Sequence, residues 1–224
     1  MIGLPPNDLC YICGVRSANT KDHLFPECLF QRPMPSNLPK RLPACRECNN
    51  GLSKDEELFR VFMASGMAYE NDAGYRIWTE RIRPDLQGDR PGLKPLLQSL
   101  VKQYLVFSKT GEFLGQVIFL EKDRDFIHRI LSKIARGLYF LDTSGQILPN
   151  DVQILWDYAI GQPSDFVSPP LDEAFKGAKK FDYGNGAVTY WRNTMKDDPT
   201  ASLTWLRFFE DKWFLICTFR QEIL

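Results

Sequence analysis

Four cysteines stand in two pairs, Cys10-x2-Cys13 and Cys45-x2-Cys48, and the stretch between them holds an acid beside a base, Asp22-His23. Two such pairs at this separation can close a tetrahedral site of four thiolates around Zn2+. Four thiolates leave the metal no open position, so such a zinc is structural and ties the loop at Cys10 to the segment beginning at Cys45. A structural knuckle needs no histidine inside it and no asparagine behind it. Here His23 lies inside, and Asn49-Asn50 follow Cys48 directly. A neutral imidazole near its own pKa takes a proton from water at working pH. Asp22 and the side-chain oxygen of Asn49 are hard oxygen ligands, suited to Mg2+ or Mn2+ rather than to zinc. His23, Asp22 and Asn49 are therefore the candidate catalytic set, with Asp22 and Asn49 as ligands of a second metal.

The elements that must position this set are short. Lys21 to Phe25 reads as a strand stopped by Pro26, and the proline-rich run from Gln31 to Pro39 as an irregular loop. Leu42-Pro43-Ala44 leads into Cys45 and a short helix ending at Gly51. A second helix starts at Ser53, where Ser53 and Glu56 have capping-box spacing, with Leu58, Val61, Phe62 and Ser65 facing inward. This cysteine module covers residues 1–66. Residues 67–95, punctuated by Gly and Pro, read as a connector.

The pattern changes in residues 96–224, the expected second domain. Tyr104 to Phe107 and Phe113 to Leu120 flank a turn at residues 108–111. A helix begins at Asp123, with Ile127, Ile130, Leu131, Ile134 and Leu138 in one apolar stripe. Further strands are expected at 152–156, 187–194, 202–209 and 213–219, with a polar loop at 163–186. The fold class that follows is α+β, a zinc module followed by mostly antiparallel strands packed on a helix.

The 224 residues, 44% hydrophobic and 13% aromatic, are enough for a sizeable core. Twenty-eight basic against 28 acidic residues create no global basic field, so any nucleic-acid affinity must come from a local patch. The N-terminus lacks the basic flank and apolar run of a signal peptide, and no stretch is long and apolar enough to cross a bilayer. A soluble cytoplasmic protein with no membrane partner is expected. In that compartment paired cysteines favour metal over disulfides. Cys28 and Cys217 are left over and read as small buried hydrophobes.

Cys10-Tyr11-Ile12-Cys13-Gly14, Lys21-Asp22-His23-Leu24-Phe25-Pro26 and Leu42-Pro43-Ala44-Cys45-Arg46-Glu47-Cys48-Asn49-Asn50 together resemble the zinc-containing HNH endonucleases, over residues 10–57. The resemblance implies a ββα-metal motif in a treble-clef zinc scaffold and hydrolysis of phosphodiester bonds, with double-stranded DNA as the expected partner. It makes His23 the general base. Asp22 and Asn49 would hold one catalytic Mg2+ or Mn2+ against the scissile phosphate. The register of the family's middle asparagine falls on Lys40, with Asn37 three residues earlier.

Beyond the module, Arg129, Lys133 and Arg136 share a helix face, either a solvated face or a stripe that follows phosphates, and His128 reads as a surface residue. The aromatic-rich end places apolar residues on both faces of its strands. One face would cover the helix and the other a second copy, giving a homodimer. Two rival functions stand beside the nuclease: a non-catalytic zinc module that binds nucleic acid or protein, and a nuclease gated by a C-terminal sensor.

Overall fold

A computed structural model describes residues 9–64, 71–88, 94–95, 101–120, 125–160 and 173–220. The chain enters through a knuckle closed by the Leu9–Ser17 bridge, where Gly14, at φ 69°, lets the backbone turn back after Cys13. Strand β1 (Thr20–Asp22) then pairs antiparallel with β2 (Leu42–Ala44), setting Asp22 opposite Leu42. β1 is shorter than the strand expected to run through Phe25. Leu24 and Phe25 turn into the core instead, and Pro26 leads into a helical turn at Glu27–Leu29. Helix α1 (Arg46–Gly51) follows β2 directly, giving the expected order of strand, strand and helix.

Helix α2 (Ser53–Ala64) begins after one residue, Leu52, that is itself helical. The capping box expected there does not form. The Glu56 N–H already has the Leu52 carbonyl at 2.8 Å, the Ser53 hydroxyl donates to the Asn50 carbonyl, and the Glu56 carboxylate is drawn to a lysine. Residues 71–88 are more regular than a connector: α3 (Asp72–Ile77) passes through a π turn (Trp78–Ile82) into α4 (Arg83–Gln87). Asn71 caps α3 by accepting from the N–H groups of Ala73 and Gly74, and its own amide donates to Glu210 at 3.0 Å. This segment therefore docks on the far end of the chain.

Strands β3 (Val101–Phe107) and β4 (Phe113–Leu120) form a separate hairpin. Helix α5 (Asp125–Asp142) leads to a five-stranded antiparallel sheet in the order β5-β9-β8-β7-β6. Its strands are β5 (Val152–Ile160), β6 (Lys180–Tyr183), β7 (Val188–Thr194), β8 (Ser202–Phe208) and β9 (Lys212–Arg220). β6 lies inside the segment expected to be a polar loop; residues 163–172 of that loop, and Ser65 of the expected α2 face, lie outside the described residues. Along β8 burial alternates with the pleat, with Thr204, Leu206 and Phe208 inside and Leu203, Trp205 and Arg207 outside. The architecture is α+β.

One hydrophobic cluster contains Cys10, Tyr11 and Phe25 of the cysteine module together with Ile130, Leu131 and Phe214. The core thus runs across the division expected near residue 66. Helix α5 is its axis: Ile127, Ile130, Leu131, Ile134 and Leu138 are all buried, as the stripe predicts. Phe59 of α2, absent from the expected inward face, is fully buried and meets Phe208 edge-on at 5.1 Å. At Gly137 the helix backbone lies against the module so closely that a Cβ would stand 2.5 Å from Leu24 and 3.0 Å from Leu42.

Candidate functional site

The backbone builds the four-cysteine cluster from two different turns. In the first, the N–H of Cys10 donates to the Arg16 carbonyl and that of Gly14 to the Cys10 carbonyl, both at 2.8 Å. In the second, Cys45 caps α1, and its sulfur accepts the Cys48 N–H at 3.4 Å. Together they bring the sulfurs of Cys10, Cys13, Cys45 and Cys48 within 4.8 Å of one another. A Zn–S bond of about 2.3 Å puts tetrahedral sulfurs about 3.8 Å apart, so the cluster fits one zinc with no vacant position. Burial works against a Cys13 thiolate, but hydrogen bonds from the Val15 and Arg16 backbone outweigh it and hold the thiol at about 7. The Arg16 guanidinium stands 3.8 Å from the Cys45 sulfur and 3.9 Å from that of Cys48, offsetting part of the charge that four thiolates carry.

His23 leaves the end of β1 as the chain turns toward Pro26, with its side chain 19% exposed. The register that sets Asp22 opposite Leu42 brings Arg41 alongside, and Arg41 Nε donates to His23 Nε2 at 3.0 Å. On the other side of the ring, Glu27 Oε2 lies 3.5 Å from Nδ1, and the second Glu27 oxygen accepts from Arg32. Burial, then the Arg41 charge, lower the His23 pKa below its ordinary 6.5, against the opposing pull of Glu27. The ring is therefore neutral at neutral pH, with a carboxylate to orient Nδ1–H and Nε2 left as an acceptor. Glu27 is recognisable in hindsight as the residue four positions on, but Arg32 and Arg41 carry no local signal.

Asp22 faces the other way, into the protein. It is 6% exposed and accepts the Tyr11 hydroxyl at 2.7 Å. The Lys133 ammonium approaches its two oxygens at 2.9 and 3.1 Å and also reaches Glu56 at 2.6 Å. Lys133 itself is 1% exposed. Burial, followed by the Asp22 charge, holds the Tyr11 hydroxyl well above its ordinary pKa, so it stays a donor. Burial also raises the Glu56 pKa, and Lys133 pulls it back. Asn49 donates its amide to Thr20 Oγ1 at 3.3 Å. With both Asp22 oxygens engaged by Lys133 and one also by Tyr11, a divalent ion shared by Asp22 and Asn49 does not fit this arrangement.

The basic stripe on α5 is not a phosphate track. Arg129 forms a double hydrogen bond with Asp55 at 2.6 and 2.8 Å, Lys133 is buried, and Arg136 donates to the Leu148 carbonyl. Spacing of four residues aligns Arg129, Lys133 and Gly137 on the side that meets the module, where Lys133 points inward and Arg129, half exposed, reaches Asp55 at the rim. His128 is exposed, as expected, and accepts from Trp156 Nε1 at 3.1 Å. Asn37 does not support the histidine; it donates to the Asp182 carbonyl of β6. Cys28 and Cys217 are each partly buried, and burial pushes the Cys28 thiol up to about 12. Among the described residues no helix is long and apolar enough to cross a membrane. No family model matches this chain, and no curated protein and no solved structure does.

Proposed function

We propose that the chain is an HNH-type endonuclease that hydrolyses phosphodiester bonds in DNA, with His23 as the general base. The observation that carries this reading is a neutral, partly exposed imidazole held between a carboxylate and a guanidinium on a cysteine-clamped hairpin. Glu27, 3.5 Å from Nδ1, favours the tautomer protonated there, which leaves the Nε2 lone pair for the proton of an attacking water. The water oxygen bonds phosphorus as a phosphorus–ester oxygen bond breaks, and the departing oxygen takes a proton from solvent. Arg41 covers that lone pair in the free protein. A bound phosphate draws the Arg41 guanidinium away by forming a stronger, charge-assisted pair, and so exposes Nε2 to water. Zinc in the four-cysteine cluster holds the two knuckles together and takes no part in the reaction. The Mg2+ or Mn2+ implied by the resemblance contributes no step, because Asp22 is already engaged.

Supercoiled plasmid is the test substrate, with the zinc-loaded protein beside His23→Ala. Nicking or linearisation by the native chain should fall by about 100-fold or more in the variant. Equal cleavage by both proteins would remove His23 from the mechanism. A second reading, a zinc-stapled binding module without cleavage, is favoured by one fact: Asp22 is held in the core by Lys133 instead of facing solvent. Plasmid bound but never cut by the native chain would select it.

A further inference from the structure

We propose that Lys133 is the resident cation of Asp22: its ammonium holds the carboxylate that the resemblance assigns to a divalent ion, and the site takes no such ion. The proposal rests on reading Asp22-His23 as an HNH-like pair. Three acceptor oxygens surround Nζ, namely Asp22 Oδ1 at 3.1 Å, Asp22 Oδ2 at 2.9 Å and Glu56 Oε1 at 2.6 Å. An ammonium has three N–H donors and no acceptor, so the oxygens match its full hydrogen-bonding capacity. The Tyr11 hydroxyl satisfies Asp22 Oδ2 from the other side. A divalent ion would need the Asp22 and Glu56 oxygens that the ammonium already holds, and its charge beside that ammonium would be repelled.

The lysine is a fixture rather than a gate. It projects from α5 between Ile130, Leu131 and Ile134, all fully buried. One turn on, Gly137 lies against Leu24, Leu42 and Tyr11 with no space for a methyl group. One turn back, Arg129 holds Asp55 at the start of α2. Withdrawing the ammonium would leave the buried Asp22 carboxylate without its cation and beside the Glu56 carboxylate, which is strongly unfavourable. Lys133 thus fixes the last residue of β1, one residue before His23. Through it the second half of the protein completes the cysteine module.

The test is a Mn2+ titration of the zinc-loaded full-length chain, reading free Mn2+ by electron paramagnetic resonance, beside Asp22→Asn, Lys133→Met and Lys133→Arg. The native chain and Lys133→Arg should show no Mn2+ site that Asp22→Asn removes. Lys133→Met should gain one such site, lost again when Asp22→Asn is added, and its melting temperature should rise with Mn2+. A native chain that binds Mn2+ in an Asp22-dependent way would overturn the proposal, as would a folded Lys133→Met protein that gains no site. If Lys133→Met does not fold, the native chain decides alone: no Asp22-dependent Mn2+ site upholds the assignment, and one such site refutes it. Binding is read without cleavage, so this outcome and the plasmid result with His23→Ala fail independently.

Discussion

At His23 the direction of the pKa shift makes two predictions. Its folded pKa lies below the ordinary 6.5, so folding favours the neutral ring. Stability from this group is complete above pH 6.5 and is lost as pH falls toward the lowered value. The acid limb of kcat/KM against pH should therefore lie below 6.5. Because the Arg41 charge lowers the His23 pKa and the Glu27 charge raises it, Arg41→Ala should move that limb up and Glu27→Gln should move it down. Rate profiles of the two variants check both signs; a limb that ignores both would place the titrating group elsewhere. Each charge neighbours the ring through a different route. Glu27 is four residues away along the chain, whereas Arg41 arrives across the β1–β2 pairing. Only the first can be found by reading along the sequence.

Two contacts carry the module's geometry at the level of elements. The four-cysteine cluster joins the first knuckle to the start of α1, and free energy from structural zinc is folding free energy. Cys45→Ser, or a chelator strong enough to strip four thiolates, should collapse β1, β2 and α1, seen as lost near-ultraviolet circular dichroism and a lower melting temperature. Retained folding in the zinc-free variant would refute a structural zinc. The second contact is the crossing of α5 over the hairpin. Gly137→Ala would improve helix propensity, yet its methyl must displace Leu24 at 2.5 Å. Overpacking of this kind costs about 1–3 kcal/mol, so the variant should melt several degrees lower despite the better helix former. The apolar stripe of α5 is legible at helical spacing, since burying one face suffices to define it. The partners of its charges are not legible: Arg129 and Lys133 look solvated until Asp55, Glu56 and Asp22 are folded against them.

Over the whole molecule, the module and the sheet melt as one unit if they share the core that joins Phe59 to Phe208 and Phe214. Phe59→Ala should cost about 3–5 kcal/mol and lower a single thermal transition, measured by calorimetry. Two separate transitions would mean that the module stands alone. By itself the sequence determined what local chemistry and periodicity can fix: the four-cysteine cluster, the α+β class, the helix stripe and the strands at the C-terminal end. Each depends on neighbours within a turn, a pleat or a knuckle. Tertiary structure alone decided which face of β1 Asp22 occupies, what pairs with Lys133 and how far the core extends. Those outcomes depend on residues 77 to 111 positions apart, such as Lys133 with Glu56 and with Asp22. No local pattern encodes them, because a buried charge is assigned its partner only when desolvation forces the two together.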